Sequence, residues 1–322
     1  MKRFNMFGKL ISVCTFMLLF AFSSHAQQVQ SKEKKHKEVM DDDPPEVMPL
    51  LLRGPYLQVA APTSIMVRWR TDALSRSKVW FGTNKDSLNA SVEDSFLVTE
   101  HKITIRGLKP LSKYYYRIGA IKQVLQGDSN NYFMTLPESG RSGTFRIAAF
   151  GDCGNNSVNQ RSVRDQLLKY LGTDPLNAWI LLGDNTYPNG TDAEFQSNFF
   201  NVYKNDLLKN VPLFPSPGNH DYHDVEYSAA VAQQTHQVAY YENFSMPTEA
   251  EAGGLPSHSE SFYSFDIGNI HFLSLDSYGR ENGMRMYDTL GPQVEWVKKD
   301  LEKNKNVEWI IAYWHHPPFT MG

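Results

Sequence analysis

Residues 181–190 read LLGDNTYPNG. The leucines close an apolar run, 178–182, and a carboxylate and a phenol follow at once, Asp184 and Tyr187. An apolar run of about five residues, ended by glycine, has the length of a buried strand and not of a helix. In open α/β sheets, functional groups gather beyond the carboxyl ends of the strands.

Three other apolar runs end the same way. RIAAFGDCGNN (146–156) delivers Asp152, LFPSPGNHD (213–221) delivers Asn219, His220 and Asp221, and WIIAYWHHPPF (309–319) delivers His315 and His316. Amphipathic patterns separate them. SVRDQLLKYL (162–171) places Val163, Leu167, Leu168 and Leu171 on one side of a helix, EFQSNFFNVYKNDLL (194–208) reads as a second helix, and GPQVEWVKKDLEKN (291–304) as another with Val294, Val297 and Leu301 inward. SFYSFDIGNIHFLSLDS (261–277) reads as a hairpin turning through Gly268 and Asn269. Strands alternating with helices predict an α/β layered domain over 138–322.

The preceding segment, 50–137, is different. TSIMVRWRT (63–71), SKVWFGT (77–83), HKITIRGL (101–108), SKYYYRIGA (112–120) and NYFMTLP (131–137) are short alternating runs with turn residues between them. They predict an all-β sandwich. Ile65, Val67 and Trp69 should point one way, Met66, Arg68 and Arg70 the other. Tyr114, Tyr115 and Tyr116 fit a core and a corner hydrogen bond better than a ligand site. The Pro/Gly/Ser stretch 137–143 marks the boundary.

The chain has 322 residues, 41% hydrophobic and 21% charged, with a formal charge of −3. That is an ordinary globular composition and lacks the basic footprint of a nucleic-acid binder. Residues 1–26 carry a basic start, an apolar run and small residues before Gln27, the layout of a cleaved signal peptide. The run is too short for easy spanning, which takes ~20 apolar residues, and Cys14 lies inside it, away from any lipid-attachment position. The expectation is a secreted or periplasmic protein with no stable membrane anchor. Residues 27–49 form a polar linker. Only Cys153 then remains, so no internal disulfide is possible.

Aspartate, asparagine, histidine and phenolate together supply oxygen and nitrogen ligands for hard or borderline metals. The set has too much oxygen and too little cysteine for a structural zinc site. A carboxylate shared by two cations makes a dinuclear centre with ions ~3.5–4 Å apart, suited to in-line phosphoryl displacement. A phenolate favours a hard trivalent ion, which points Tyr187 toward Fe(III).

The ordered set Asp-x-Gly, Gly-Asp-x-x-Tyr, Gly-Asn-His-Asp and a hydrophobic strand running into His resembles the purple acid phosphatases among the calcineurin-like metallophosphoesterases. The resemblance spans residues 50–322, and ITIRGLKPLSKYYYRIGA (103–120) is similar to a fibronectin type III-like module. It implies that Asp152, Asp184 and Tyr187 hold Fe(III), and that Asp184 bridges to a divalent ion (Fe, Zn or Mn) that also takes Asn219 and His315. Gly154 stands where other metallophosphoesterases carry a histidine ligand, with Tyr187 in its stead. His220 would sit near the leaving group as the catalytic acid, with Asp221 and His316 along the pocket. The implied activity is acid hydrolysis of small phosphate monoesters by metal-bound hydroxide. A phosphodiesterase or nucleotidase on the same core, and a non-catalytic exported binding module with a vestigial metal site, are the alternatives. The family's closing Gly-His-x-His is not found, and neither His258 nor His271 fits it. The expectation is a chain cut short at its C-terminus, with one ligand missing from each metal. Residues 223–247, rich in tyrosine, either wall the pocket or pack at the domain contact.

Overall fold

Alternating residues build the first six strands of the computed structural model, which describes residues 48–222 and 229–319. The expected leader (1–26), and the linker up to Val47, lie outside the described residues. Strands β1 (Leu51–Gln58), β2 (Ser64–Gly82), β3 (Ala90–Arg106), β4 (Lys113–Ala120), β5 (Gln123–Gln126) and β6 (Tyr132–Met134) form one antiparallel sheet. Ile65, Val67 and Trp69 are sealed from solvent, as the alternation requires, together with Ile103 and Ile105 of β3.

One departure from the expected short strands is β2 itself. TSIMVRWRT and SKVWFGT belong to a single strand of 19 residues, with register shifts between Arg70 and Ser77. His101 fills the bend. Its Nε2 lies 2.8 Å from Thr71 Oγ1, its Nδ1 lies 2.8 Å from Ser77 Oγ, and its ring stacks on Trp69. Burial pulls its pKa down to about 4, so it packs as a neutral ring. The first half of β2 pairs with β1 and the second with β4, and β1 returns against β5. The two layers expected of a sandwich are thus halves of one bent sheet. Tyr114 accepts the backbone N–H of Lys109 at 3.0 Å, the expected corner bond.

Arg68 corrects the alternation more sharply. It is fully buried, donating to Ser245 Oγ (3.1 Å) and to the Glu242 carbonyl (2.6 Å). Arg53, also buried, donates to Gln196, Asp192 and Asn243. The outer face of β1–β2 is therefore the seat of the second domain. Residues 239–245 pack at that contact, in line with the packing reading for this part of the 223–247 segment; residues 223–228 are outside the described residues.

In the second domain, β7 (Ile147–Phe150), β8 (Ala178–Leu182) and β9 (Leu213–Ser216) are parallel. Helix α1 (Val158–Leu171) joins the first two, and a helical run, α2, over 192–203 precedes the third. Short helices α3 (Ala229–Thr235) and α4 (Ala239–Asn243) lead to the hairpin β10 (Tyr263–Ile267) and β11 (Ile270–Ser274). Helix α5 (Pro292–Lys303) then returns the chain to β12 (Trp309–Tyr313), parallel to β11. Leu167, Leu168 and Leu171 pack on the core, but Val163 is 55% exposed. Gln160 occupies the buried face in its place, because its amide binds the loop after β7. On α5 the buried face is Gln293, Trp296 and Asp300, flanked by Val297 and Leu301. The first residues of β12, an edge strand among the described residues, are exposed at Trp309, Ile310 and Ile311.

The two small sheets meet face to face along β9. Tyr263, Tyr240 and Ser274 donate hydroxyls to the Pro215 carbonyl and Tyr313 to that of Phe214, while Phe214 stacks on Phe265 with centroids 3.8 Å apart. This seam sets the ends of β8, β9 and β12 side by side.

Beneath the hairpin, His271 is clamped between Asp266 (2.7 Å) and Asp300 (2.6 Å), with no solvent exposure. Burial works against its charge, but the two carboxylates outweigh it and raise the pKa to about 9. A folded-state value above the ordinary 6.5 means the stabilisation is complete below pH 6.5 and is lost as pH rises through 9. His271→Phe should therefore cost about 3–5 kcal/mol at pH 6, leaving two buried carboxylates unpaired. The gap to the wild type should shrink at pH 10. Urea midpoints at both pH values check this, and a gap independent of pH would show that the imidazole is not charged in the folded state.

Candidate metal centre

Each side chain of the centre follows from a strand that stops. Beyond β7, Asp152 adopts φ 54°, and beyond β8, Asp184 adopts φ 52°. Both are in the left-handed region that L residues seldom occupy, at a cost of order 1–3 kcal/mol each. Such outliers concentrate at functional sites.

Asp184 is the hub. It is 3% exposed, and its Oδ1 accepts the backbone N–H of His220 at 2.9 Å. Its Oδ2 accepts the Tyr187 hydroxyl at 2.9 Å and lies 3.3 Å from His315 Nε2. Tyr187 also donates to Asp152. Oxygen and nitrogen atoms of Asp152, Asp184 and His315 all lie within 4.8 Å of one another, a spacing that a metal ion can bridge. Burial alone would raise the Asp184 pKa; bonds from His315 and from the His220 amide hold it below the usual value. For His315 the balance is mirrored: burial lowers its pKa, but Asp184 raises it to a net upward shift. Burial and the two carboxylates push the Tyr187 hydroxyl well above its ordinary value. An acidic pair with a phenol and an imidazole facing it is a donor set for a hard cation.

His315 is aimed by its other nitrogen, since Nδ1 lies 3.0 Å from the Leu182 carbonyl. It fits because Gly183 precedes Asp184: at φ +87°, a Cβ there would stand 2.5 Å from His315 Cβ. Gly154 is equally constrained, since a Cβ would come within 1.9 Å of the Asn185 carbonyl oxygen. No histidine could stand at that position with this backbone.

Asn219 is half-buried on the β9 loop, between Gly218, which lies against Asp184, and His220. The His220 ring is fixed by Nδ1, 2.6 Å from the Pro188 carbonyl, and its Nε2 lies 3.9 Å from Asp184 Oδ2. Asp221 corrects the sequence reading. It is wholly buried and accepts from the Gly218 amide (2.7 Å), the Asn185 amide (3.1 Å) and Asn185 Nδ2 (3.0 Å), so it braces two loops and does not line the pocket. Burial raises its pKa to about 7. His316 lies beside the centre, its ring 4.8 Å from that of His315, with Nδ1 at 2.8 Å from Ser277 Oγ. Cys153 is a buried thiol beside Asp152.

Sequence reasoning missed a fifth strand end. After β11 come Asp276, Ser277 and Tyr278; Asp276 is buried and bonded to Tyr222, Ser277 holds His316, and Tyr278 stacks on His316. The signal was available, as LSLDS also runs from apolar residues into a carboxylate.

Two facing three-stranded sheets with carboxylates and imidazole at their joined strand ends define the metallophosphoesterase class. The chain belongs to the calcineurin-like phosphoesterase family, whose model matches residues 145–322, and residues 53–135 match the purple acid phosphatase N-terminal domain. Purple acid phosphatase 15 of Arabidopsis thaliana is 30% identical over 284 residues, covering 76% of this chain and 49% of the relative. Acid phosphatase type 7 of Mus musculus is 27% identical over 298 residues, covering 85% and 60% respectively. The chain thus spans about half the length of the plant relative. In fold it is similar to purple acid phosphatase PPD1 of yellow lupin, with a TM-score of 0.59 at 17% identity, covering 83% of this chain and 50% of that one. The resemblance to the purple acid phosphatases drawn from the motifs holds.

Gly154→Ala should distort the loop between Asp152 and the Asn185 carbonyl. Overpacking of this kind typically costs about 1–3 kcal/mol. Thermal denaturation beside metal stoichiometry is the check; a variant with wild-type melting temperature and wild-type metal content would mean that the loops tolerate the clash.

Proposed function

We propose that this protein is an exported phosphatase with a dinuclear metal centre that hydrolyses small phosphate monoesters. The observation that carries the reading is the convergence of Asp152, Asp184, Tyr187 and His315 from three strand ends onto one point. The residues fit the ions the family implies. Asp152, Asp184 and Tyr187 would hold Fe(III); Asp184, with its two oxygens turned to different partners, would be shared with a divalent ion held also by Asn219 and His315. When bound, the ions would neutralise the ester's charge and lower the pKa of water at the centre.

The remaining steps belong to the chain's own groups. The bond from Nδ1 to the Pro188 carbonyl keeps a proton on that nitrogen. Nε2 of His220, left free by that bond, would donate to the leaving oxygen when the ring is protonated. The sheet packing that buries Asp184 limits water around the reacting atoms. Units at 50–137 and 138–322 divide the work, the first holding the second in shape. Export rests on the leader-like residues 1–26, and a secreted or periplasmic location is proposed on that ground. No helix among the described residues is long and apolar enough to cross a membrane.

The test is hydrolysis of p-nitrophenyl phosphate by the full-length, metal-loaded protein at mildly acidic pH. No turnover with full metal content would favour a vestigial site and defeat the proposal. Tyr187→Phe should abolish the visible phenolate-to-iron absorption of the oxidised protein while the fold remains; an unchanged band would remove Tyr187 from the ligand set. His220→Ala should lower kcat by ~10²–10⁴-fold with both metals retained, whereas His315→Ala should lose the divalent ion. Metal analysis of both variants separates these roles.

A further inference from the structure

Two guanidinium groups share one acceptor on the His316 side of the centre. Arg280 Nε donates to Gln233 Oε1 at 3.3 Å, and Arg285 Nη2 donates to the same oxygen at 3.0 Å. Each has one further carbonyl, Gly283 for Arg280 and Tyr278 for Arg285, both at 3.3 Å. Among the described residues no carboxylate pairs with either. The acids of their own loop are engaged elsewhere: Glu281 meets Ser259 and His236, and Asp288 accepts the backbone N–H of Arg285. Both arginines are half-buried, so two like charges are partly desolvated around a single neutral oxygen. That arrangement is unfavourable on its own and is relieved by an anion.

The loop is joined to the centre by ring contacts. The Arg285 guanidinium lies 5.7 Å from the Tyr278 ring, Tyr278 stacks on His316 at 5.6 Å, and His316 stands 4.8 Å from His315. We propose that Arg285, backed by Arg280, binds a second anionic group, carboxylate or phosphate, on the leaving group of the ester, so that doubly anionic phosphomonoesters are the preferred substrates. The planar guanidinium fork suits either oxyanion. The inference rests on the phosphatase reading above and names its substrate class.

The experiment compares two isosteric esters, 4-carboxyphenyl phosphate and 4-carbamoylphenyl phosphate, with the full-length metal-loaded protein. Arg285→Gln should raise KM for the carboxylate ester about tenfold, the scale of a lost charge-assisted hydrogen bond. Its kcat should hold, and the carbamoyl ester should be unaffected. Arg285→Lys should recover part of the loss. An equal change on both esters, or none on either, overturns the proposal. Calorimetric binding of 4-carboxybenzylphosphonate reads the same contact without turnover. Binding that depends on Arg285 in a protein that cleaves neither ester sinks the hydrolase reading and keeps the anion site. Cleavage of both esters with no role for Arg285 does the reverse.

Discussion

The Asp184 carboxylate is the point on which the loops of the centre depend. It is almost wholly buried, and an ion in that position is costly unless donors surround it. They come from three directions: the His220 amide from the β9 loop, the Tyr187 hydroxyl from its own loop, and the His315 imidazole from the end of β12. The last of these arrives through the seam in which tyrosines of the second sheet donate to β9. The strained backbone at Asp152 and Asp184 is held by the same packing, which ties the stability of the sheets directly to the geometry of the ligand atoms.

The N-terminal sheet contributes by a longer route. Its buried Arg53 grips Asp192 and Gln196 on α2. From the same run, Asn198 donates to the Tyr187 carbonyl at 2.8 Å and accepts from Gln160 Nε2 at 2.8 Å. Gln160 in turn holds the loop after β7. Hydrogen bonds on the two sides of α2 therefore connect the first domain, through the helix backbone, to the loops that carry Tyr187 and Asp152.

On the His316 side of the centre lie two guanidinium groups that share one neutral acceptor. His316, Tyr278 and the two arginines extend the site away from Asp184, and their bonds to Ser277 and Gln233 leave the guanidinium groups without an acidic partner among the described residues. Asp221, by contrast, lies under the loops and spends its oxygens on backbone amides. Proximity in sequence to His220 therefore says nothing about access to substrate, because in the short helical turn after Gly218 successive side chains diverge.

By itself the sequence determined most of the strands and named candidate ligands at their ends. An apolar run that stops at a carboxylate, asparagine or histidine can be read locally, and among the residues that reading names, the structure brings Asp152, Asp184, Tyr187 and His315 together. The sequence also made the hairpin at Gly268 plain, since hairpin chemistry is local. Only the tertiary structure decided which faces are covered. Arg68 and Arg53 are buried because a second domain supplies carbonyl and amide acceptors. Val163 is exposed because Gln160, bound to the loop after β7 and to the Asn198 carbonyl, takes the inner face of α1. The His271 pKa is raised because two acids from separate elements meet it. In each case a polar partner on another element decides the burial, and hydrophobic periodicity carries no information about a polar group's partners.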